Sequence, residues 1–272
     1  MKKSQGKFVL FDIDEFANWL SSTTISRIVK LVQNHHTFIP SYASFNGNNH
    51  FNLLKAMENA HLERGFAEIA QNLTTFPDGT VAVCRSLEKT PAGIFGANTG
   101  GICIENVGNF DTGKDVITEQ HRNTVIKVNA LLCRKFALTP DSNTIVYHHW
   151  YDLTSGERTN GTGVTKSCPG TGFFGGNTVA NANGNLIPLI VDELTSMGSA
   201  VPASAAPPAL FTARVSSDTL NVRAKPEASS KKIKTLTKGV SVNVFEQSGN
   251  WRRIDANESH WVNGRFLEHL EI

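Results

Sequence analysis

The four cysteines of this 272-residue chain, Cys84, Cys103, Cys133 and Cys168, include no CxxC pair. That usage excludes a disulfide framework and suits synthesis in a reducing compartment. A strong charge of either sign is also missing: the formal net charge of +2 is too small to argue for nucleic acid or an anionic membrane as a partner. No apolar run approaches the length of a bilayer span, and Phe8 to Phe11, after Met1-Lys2-Lys3, stops at Asp12, too short for the apolar stretch of a signal peptide. The protein is therefore expected to be made in the cytoplasm, and any work outside the cell needs another exit route. Among local motifs, HExxH is absent. Gly161 to Ser167 superficially resembles a phosphate loop but has no Gly immediately before Lys166, which excludes nucleotide binding there.

The length exceeds that of one usual domain, so one large and one small domain are the default expectation. Met197 to Ala213 is free of charge and rich in Ala, Pro and Ser, the composition of an extended linker. This places a large domain at residues 1–196, a linker at 197–213 and a small domain at 214–272. Basic residues concentrate in the last part: from Arg214 onward ten Lys and Arg face seven acidic residues, leaving sixteen against seventeen before it. There Leu220-Asn221-Val222-Arg223, Val240 to Val244 and Trp261-Val262 alternate apolar with polar residues between Gly, Pro and Asn turns, the pattern of a small all-β barrel.

The large domain mixes both periodicities. Asp14 to Leu20 suits a helix start with Asp12 or Asp14 as N-cap, Asn52 to Arg64 a surface helix, and Thr118 to Leu138 a long amphipathic helix. Ile28, Val29, Leu31 and Val32 suit a buried strand that ends at His35-His36; Pro77-Asp78-Gly79-Thr80 suits a hairpin turn; Ile102 to Val107 and Thr144 to Tyr147 suit two more strands. The fold class this predicts is α/β, a central mixed sheet flanked by helices, followed by the small barrel. Cys84, Cys103 and Cys133 lie in apolar runs and read as core residues, whereas Cys168 lies in a polar segment rich in Gly and Pro.

Two histidine doublets, His35-His36 and His148-His149, each follow an apolar strand, which would hold an imidazole at a sheet edge. The pleat lets one ring of each doublet face a common point. One imidazole from each plus the Cys168 thiolate makes three nitrogen and sulfur ligands, the count that leaves zinc one open position for water. Such a metal lowers the pKa of its water and polarises a carbonyl oxygen, so the pattern points to hydrolysis. The isolated His50, His61, His121, His260 and His269 read as surface or satisfied core residues.

Residues from about Ile28 to Val179 resemble the zinc N-acetylmuramoyl-L-alanine amidases, whose fold is shared with phage amidase-type lysozymes and animal peptidoglycan recognition proteins. The resemblance rests on His35-His36-Thr37, on Val146-Tyr147-His148 and on Lys166-Ser167-Cys168-Pro169. It implies zinc held by His35, His148 and Cys168, with Lys166 as oxyanion stabiliser. The family's general base is an early Tyr or a Glu on a central strand. Here the Tyr position falls on Gln71 and the Glu position on Glu105, which favours Glu105, whose apolar neighbours would raise its pKa. Nineteen residues separate His148 from Cys168, a longer loop than usual in the family; Trp150 to Thr165 is expected to wall the cleft, and the choice between His148 and His149 stays open.

The C-terminal part resembles bacterial SH3-like wall-binding modules through Leu220 to Arg223, Lys238-Gly239, Trp251 and Trp261-Val262, although each Trp equally suits the barrel core. Together the resemblances imply cleavage of the amide between N-acetylmuramic acid and L-alanine in peptidoglycan by an endolysin or autolysin, reaching the wall through a holin-type pore or on lysis. Two rival readings are a wall-recognition protein without catalysis and a zinc peptidase acting within the stem peptide. Non-catalytic relatives commonly lack the Cys ligand, so Cys168 argues against the first.

Overall fold

A computed structural model describes residues 2–198, 209–255 and 258–270. The chain divides into two compact units, Met1–Ser204 and Ala205–Ile272. Within the Ala/Pro/Ser stretch expected to act as a linker, residues 199–208 lie outside the described residues.

Seven strands build the sheet of the first unit: β1 (Lys3–Gln5), β2 (Phe8–Phe11), β3 (Leu31–His36), β4 (Leu73–Thr75), β5 (Val81–Val83), β6 (Gly101–Asn106) and β7 (Ile145–Tyr147). Their order is β1-β2-β5-β4-β6-β3-β7. The β1-β2-β5-β4 side is antiparallel, whereas β4, β6, β3 and β7 run parallel, so the sheet is mixed. Asp78 closes the β4–β5 hairpin by accepting from the Thr80 N–H and hydroxyl.

The pleat sorts side chains into two layers. On one face Val32, Val81, Val83, Ile102 and Ile104 join the larger core with helices α1 (Ile13–Ser22), α3 (Glu119–Phe136) and α5 (Leu186–Ser196). On the other, Phe8, Leu10, Ala82 and Cys84 pack with Leu54 and Met57 of α2 (His50–Glu63). Asp12 caps α1 in a reciprocal box with Glu15, and the Thr118 hydroxyl caps α3. A short helix α4 (Val179–Gly184) precedes α5, whose Leu186, Ile187, Ile190 and Leu194 are buried.

Two expectations about the first doublet change. The strand starts at Leu31, because Ile28 is 76 % exposed and cannot belong to a buried run. Nor does β3 lie at an edge of the sheet: it is hydrogen-bonded between β6 and β7, so His35 stands at the end of an interior strand. Of the two strands that lead to the doublets, β7, which leads to His148, is the one at an edge.

The second unit is all-β. A five-stranded sheet runs β10 (Lys232–Thr237), β9 (Thr219–Arg223), β14 (Trp261–Asn263), β13 (Trp251–Arg253), β12 (Glu246–Ser248), and a three-stranded sheet runs β11 (Ser241–Val244), β8 (Phe211–Val215), β15 (Leu267–His269). Val215, Leu220, Val222 and Val262 form its core. Trp261 is buried and donates to Ser259, whereas Trp251 is half-buried.

Candidate metal centre

Val32 faces the α3 side, so Gln33 and His35, at the alternate positions of β3, face the α2 side. The parallel register sets Gln33 beside Cys103 and His35 beside Glu105 of β6. Beyond β7 the chain turns into a single 3-10 turn, His148–Trp150, which carries the second doublet back over the end of β3.

Three donors converge there. His35 Nδ1 lies 3.2 Å from His148 Nδ1 and 3.5 Å from Cys168 Sγ, and the ligand atoms of all three residues fall within 4.8 Å of one another. Atoms bound to one tetrahedral zinc at about 2.0–2.3 Å lie roughly 3.3–3.8 Å apart. His35 Nδ1 thus stands close to that spacing from both of its partners, and His148 and Cys168 lie within 4.8 Å of each other. A second grouping, His35 with Cys103 and Glu105, shares the same histidine.

His148, not His149, meets His35. The His149 ring turns into the loop that follows, where its Nδ1–H donates to the Lys166 carbonyl at 2.7 Å. A Cβ on Gly161 would stand 2.5 Å from His149 Nε2, so a glycine is needed where that ring packs. His36 likewise faces away, its Nδ1 accepting from the Phe110 N–H at 3.1 Å.

Burial sets the protonation states. It pushes His148 down to about 4 and, reinforced by the charges of His148, Lys166 and His36, holds His35 well below the ordinary imidazole range. Both rings are neutral near pH 7, as ligation requires. Burial also lifts the Cys168 thiol well above its usual value, with the Glu105 carboxylate adding to the rise, so metal binding must displace that proton. Glu105 is raised to about 8 by desolvation, against the opposing pull of Lys166. Its Oε1 lies 3.9 Å from His35 Nδ1, and its buried Oε2 has no partner among the described residues. Lys166 is exposed, yet its charge reaches all four groups.

Several supports carried no sequence signal as site residues. Asn106 donates to the His35 carbonyl at 2.7 Å and accepts from the Thr75 hydroxyl, which also meets His121. His121 in turn bonds the Tyr42 hydroxyl at 2.8 Å and is fully buried, a satisfied core histidine. Asp111 accepts from the Ser167 hydroxyl and from Thr171 N–H, and Asn177 donates to the Ser167 carbonyl, pinning the segment that carries Cys168. Gln71 is buried beside Met57 and Thr74. In the long loop before Cys168, Thr159 and Asn160 bond back to the Trp150 carbonyl, and Arg158 covers the Trp150 ring.

Residues 25–171 match the family model of N-acetylmuramoyl-L-alanine amidases, and residues 218–268 match that of bacterial SH3 domains. Among solved structures, the chain is similar to the endolysin amidase LysCS of Clostridium intestinale, at 20% identity over 56% of this chain and 82% of that one, with a TM-score of 0.39. The amidase LysC of the same organism is 18% identical over 66% of this chain and 93% of its own, with a TM-score of 0.40. Wild-type Drosophila PGRP-LB is 18% identical over 59% of this chain and 83% of its own, with a TM-score of 0.45. No curated protein matches the chain.

Proposed function

Since the chain belongs to the N-acetylmuramoyl-L-alanine amidase family through residues 25–171, we propose that it hydrolyses the amide joining N-acetylmuramic acid to L-alanine in bacterial peptidoglycan. The observation that carries this reading is the convergence of His35, His148 and Cys168 on one point, beside a carboxylate and a lysine. These three residues would hold zinc, which when bound supplies a Lewis acid and an acidified water.

Glu105 takes a proton from the water that attacks the amide carbon, and its Oε2, unpartnered among the described residues, is free to accept it. The same carboxyl then returns the proton to the departing alanine nitrogen. A carboxyl raised to about 8 is a stronger base than an ordinary carboxylate once ionised, and it still gives up its proton close to neutrality, which suits both halves of that duty. Lys166, cationic and exposed at the rim, offsets the negative charge that develops on the carbonyl oxygen. His149 takes no part, its ring being committed to the loop.

Residues 1–196 form the catalytic domain in this reading, residues 197–213 the linker, and residues 214–272, which include the bacterial SH3 match, attach the enzyme to the wall. An endolysin that reaches the wall through a holin-type pore or on lysis fits best. No helix among the described residues is long and apolar enough to cross a membrane. The intact His-His-Cys set weighs against a purely recognising role.

Mass spectrometry of fragments released from purified peptidoglycan tests the bond. Stem peptides with a free L-alanine amine, together with glycan retaining its lactyl carboxyl, are expected. Fragments cut inside the stem peptide would transfer the reading to a peptidase, and no release at all would leave recognition alone.

A further inference from the structure

Beneath the cluster two buried polar atoms lack any partner among the described residues: Gln33 Oε1 and His35 Nε2. Both residues are essentially inaccessible, at 0 % and 2 % exposure. An unpaired buried polar atom costs about 1–3 kcal/mol, so two of them side by side need a reason. They share one location. A Cβ on Gly93 would stand 2.3 Å from Gln33 Oε1 and 3.1 Å from His35 Nε2, so both atoms close on the same point of the Gly93 backbone.

The orientation of each side chain is settled independently. Gln33 Nε2 donates to the Ala97 carbonyl at 2.8 Å, which fixes which end of the amide is the donor and turns the oxygen toward Gly93. His35 presents Nδ1 to His148 and Cys168, so the lone pair belongs on Nδ1 and the proton on Nε2. A donor and an acceptor therefore border one cradle, bonded neither to each other nor to any other described residue. The Cys103 sulfur also borders it, 2.7 Å from the same Cβ position, but a thiol sulfur is a weak acceptor.

Resting on the zinc reading above, we propose that Gln33 is a positioning residue for the metal centre: with His35 ligating through Nδ1, Gln33 Oε1 would close on its Nε2–H, a bond not made in this structure, and hold the ring in that tautomer. A metal-bound imidazole generally gives its other N–H to such an acceptor, and loss of the acceptor typically weakens metal binding 10–100-fold. Placing the acceptor two residues before its histidine on the same strand face needs nothing beyond the pleat and the absence of a side chain at residue 93. Cys103 fills the space alongside.

Two variants separate the acceptor from the bulk of the side chain. Gln33→Met keeps the size and loses both polar ends; Gln33→Glu keeps an acceptor and loses the donor to Ala97. Zinc affinity of the full chain, measured by competition with a chromophoric chelator, is expected to fall about 10–100-fold in Gln33→Met and to stay within a few-fold of wild type in Gln33→Glu. Equal affinities for wild type and Gln33→Met, or equal losses in both variants, overturn the inference while leaving the metal site in place. Wild type that binds no zinc overturns the metal reading and this inference with it. If Gln33→Met fails to fold, imidazole nitrogen spectra of zinc-loaded wild type decide: a slowly exchanging His35 Nε2–H supports the assignment, and a proton on Nδ1 or in fast exchange refutes it.

Discussion

Glu105 Oε1 stands 3.9 Å from His35 Nδ1 because the two residues are register partners on neighbouring parallel strands, β6 and β3. Parallel pairing puts both side chains on one face, so the proposed base and the proposed first ligand are delivered together by backbone geometry. That arrangement makes the proton-carrying role separable from metal binding.

Glu105→Gln is accordingly expected to lower turnover by about 10²–10⁴-fold while zinc content stays that of wild type. Turnover on purified peptidoglycan and metal analysis of the same preparation check it. Near-normal rates with zinc bound would remove Glu105 from the mechanism.

Lys166→Ala is expected to reduce kcat by on the order of a hundredfold with little change in KM, because the cation is needed where charge develops in the transition state. The side chain is exposed, so the melting temperature should hardly move. A defect confined to KM would instead make Lys166 a substrate-binding residue.

Stripping the protein with a chelator should abolish hydrolysis, and added zinc should restore it. Cys168→Ser should resist that restoration at zinc levels sufficient for wild type, since a hydroxyl cannot replace the thiolate. Restored activity in Cys168→Ser would count against the three-ligand set.

His121 predicts a pH effect on stability unconnected to the reaction. Burial lowers it to about 3, from an ordinary value of 6.5. Above pH 6.5 the folded and unfolded forms are both neutral there, and the full stability is present. Between about 6.5 and 3 only the unfolded chain takes up the proton, so stability falls with pH by about 1.4 kcal/mol per unit from this group. Urea melts of wild type and His121→Gln across pH 7 to 5 should show a slope smaller by one proton in the variant. Parallel slopes would mean that His121 does not stay neutral in the fold.

Much of the architecture was legible because it rests on local rules. The α1 cap, read as Asp12 or Asp14 and found at Asp12, the α3 periodicity and the Pro77-Asp78-Gly79-Thr80 turn each act within a few residues. The start of β3 was misplaced for a complementary reason. An apolar residue such as Ile28 gives no local sign that nothing will cover it. Helix α5, packed against α3, has no counterpart in the sequence reading, and neither has Gln33, which is one of four consecutive polar residues closing β3 and so carries no distinct local signal.

Sequence alone determined the identities available for chemistry: two histidine doublets, one cysteine in a polar loop, one glutamate within an apolar strand and a lysine two residues before the cysteine. Tertiary structure alone decided which ring of each doublet turns inward, that His35 lies in an interior strand, and that Gln33 and Gly93 meet behind it. The physical reason is that residue type and strand period are properties of short segments. The direction of a side chain at a strand end is instead set by partners far away in sequence, such as the Lys166 carbonyl for His149 and the Phe110 amide for His36.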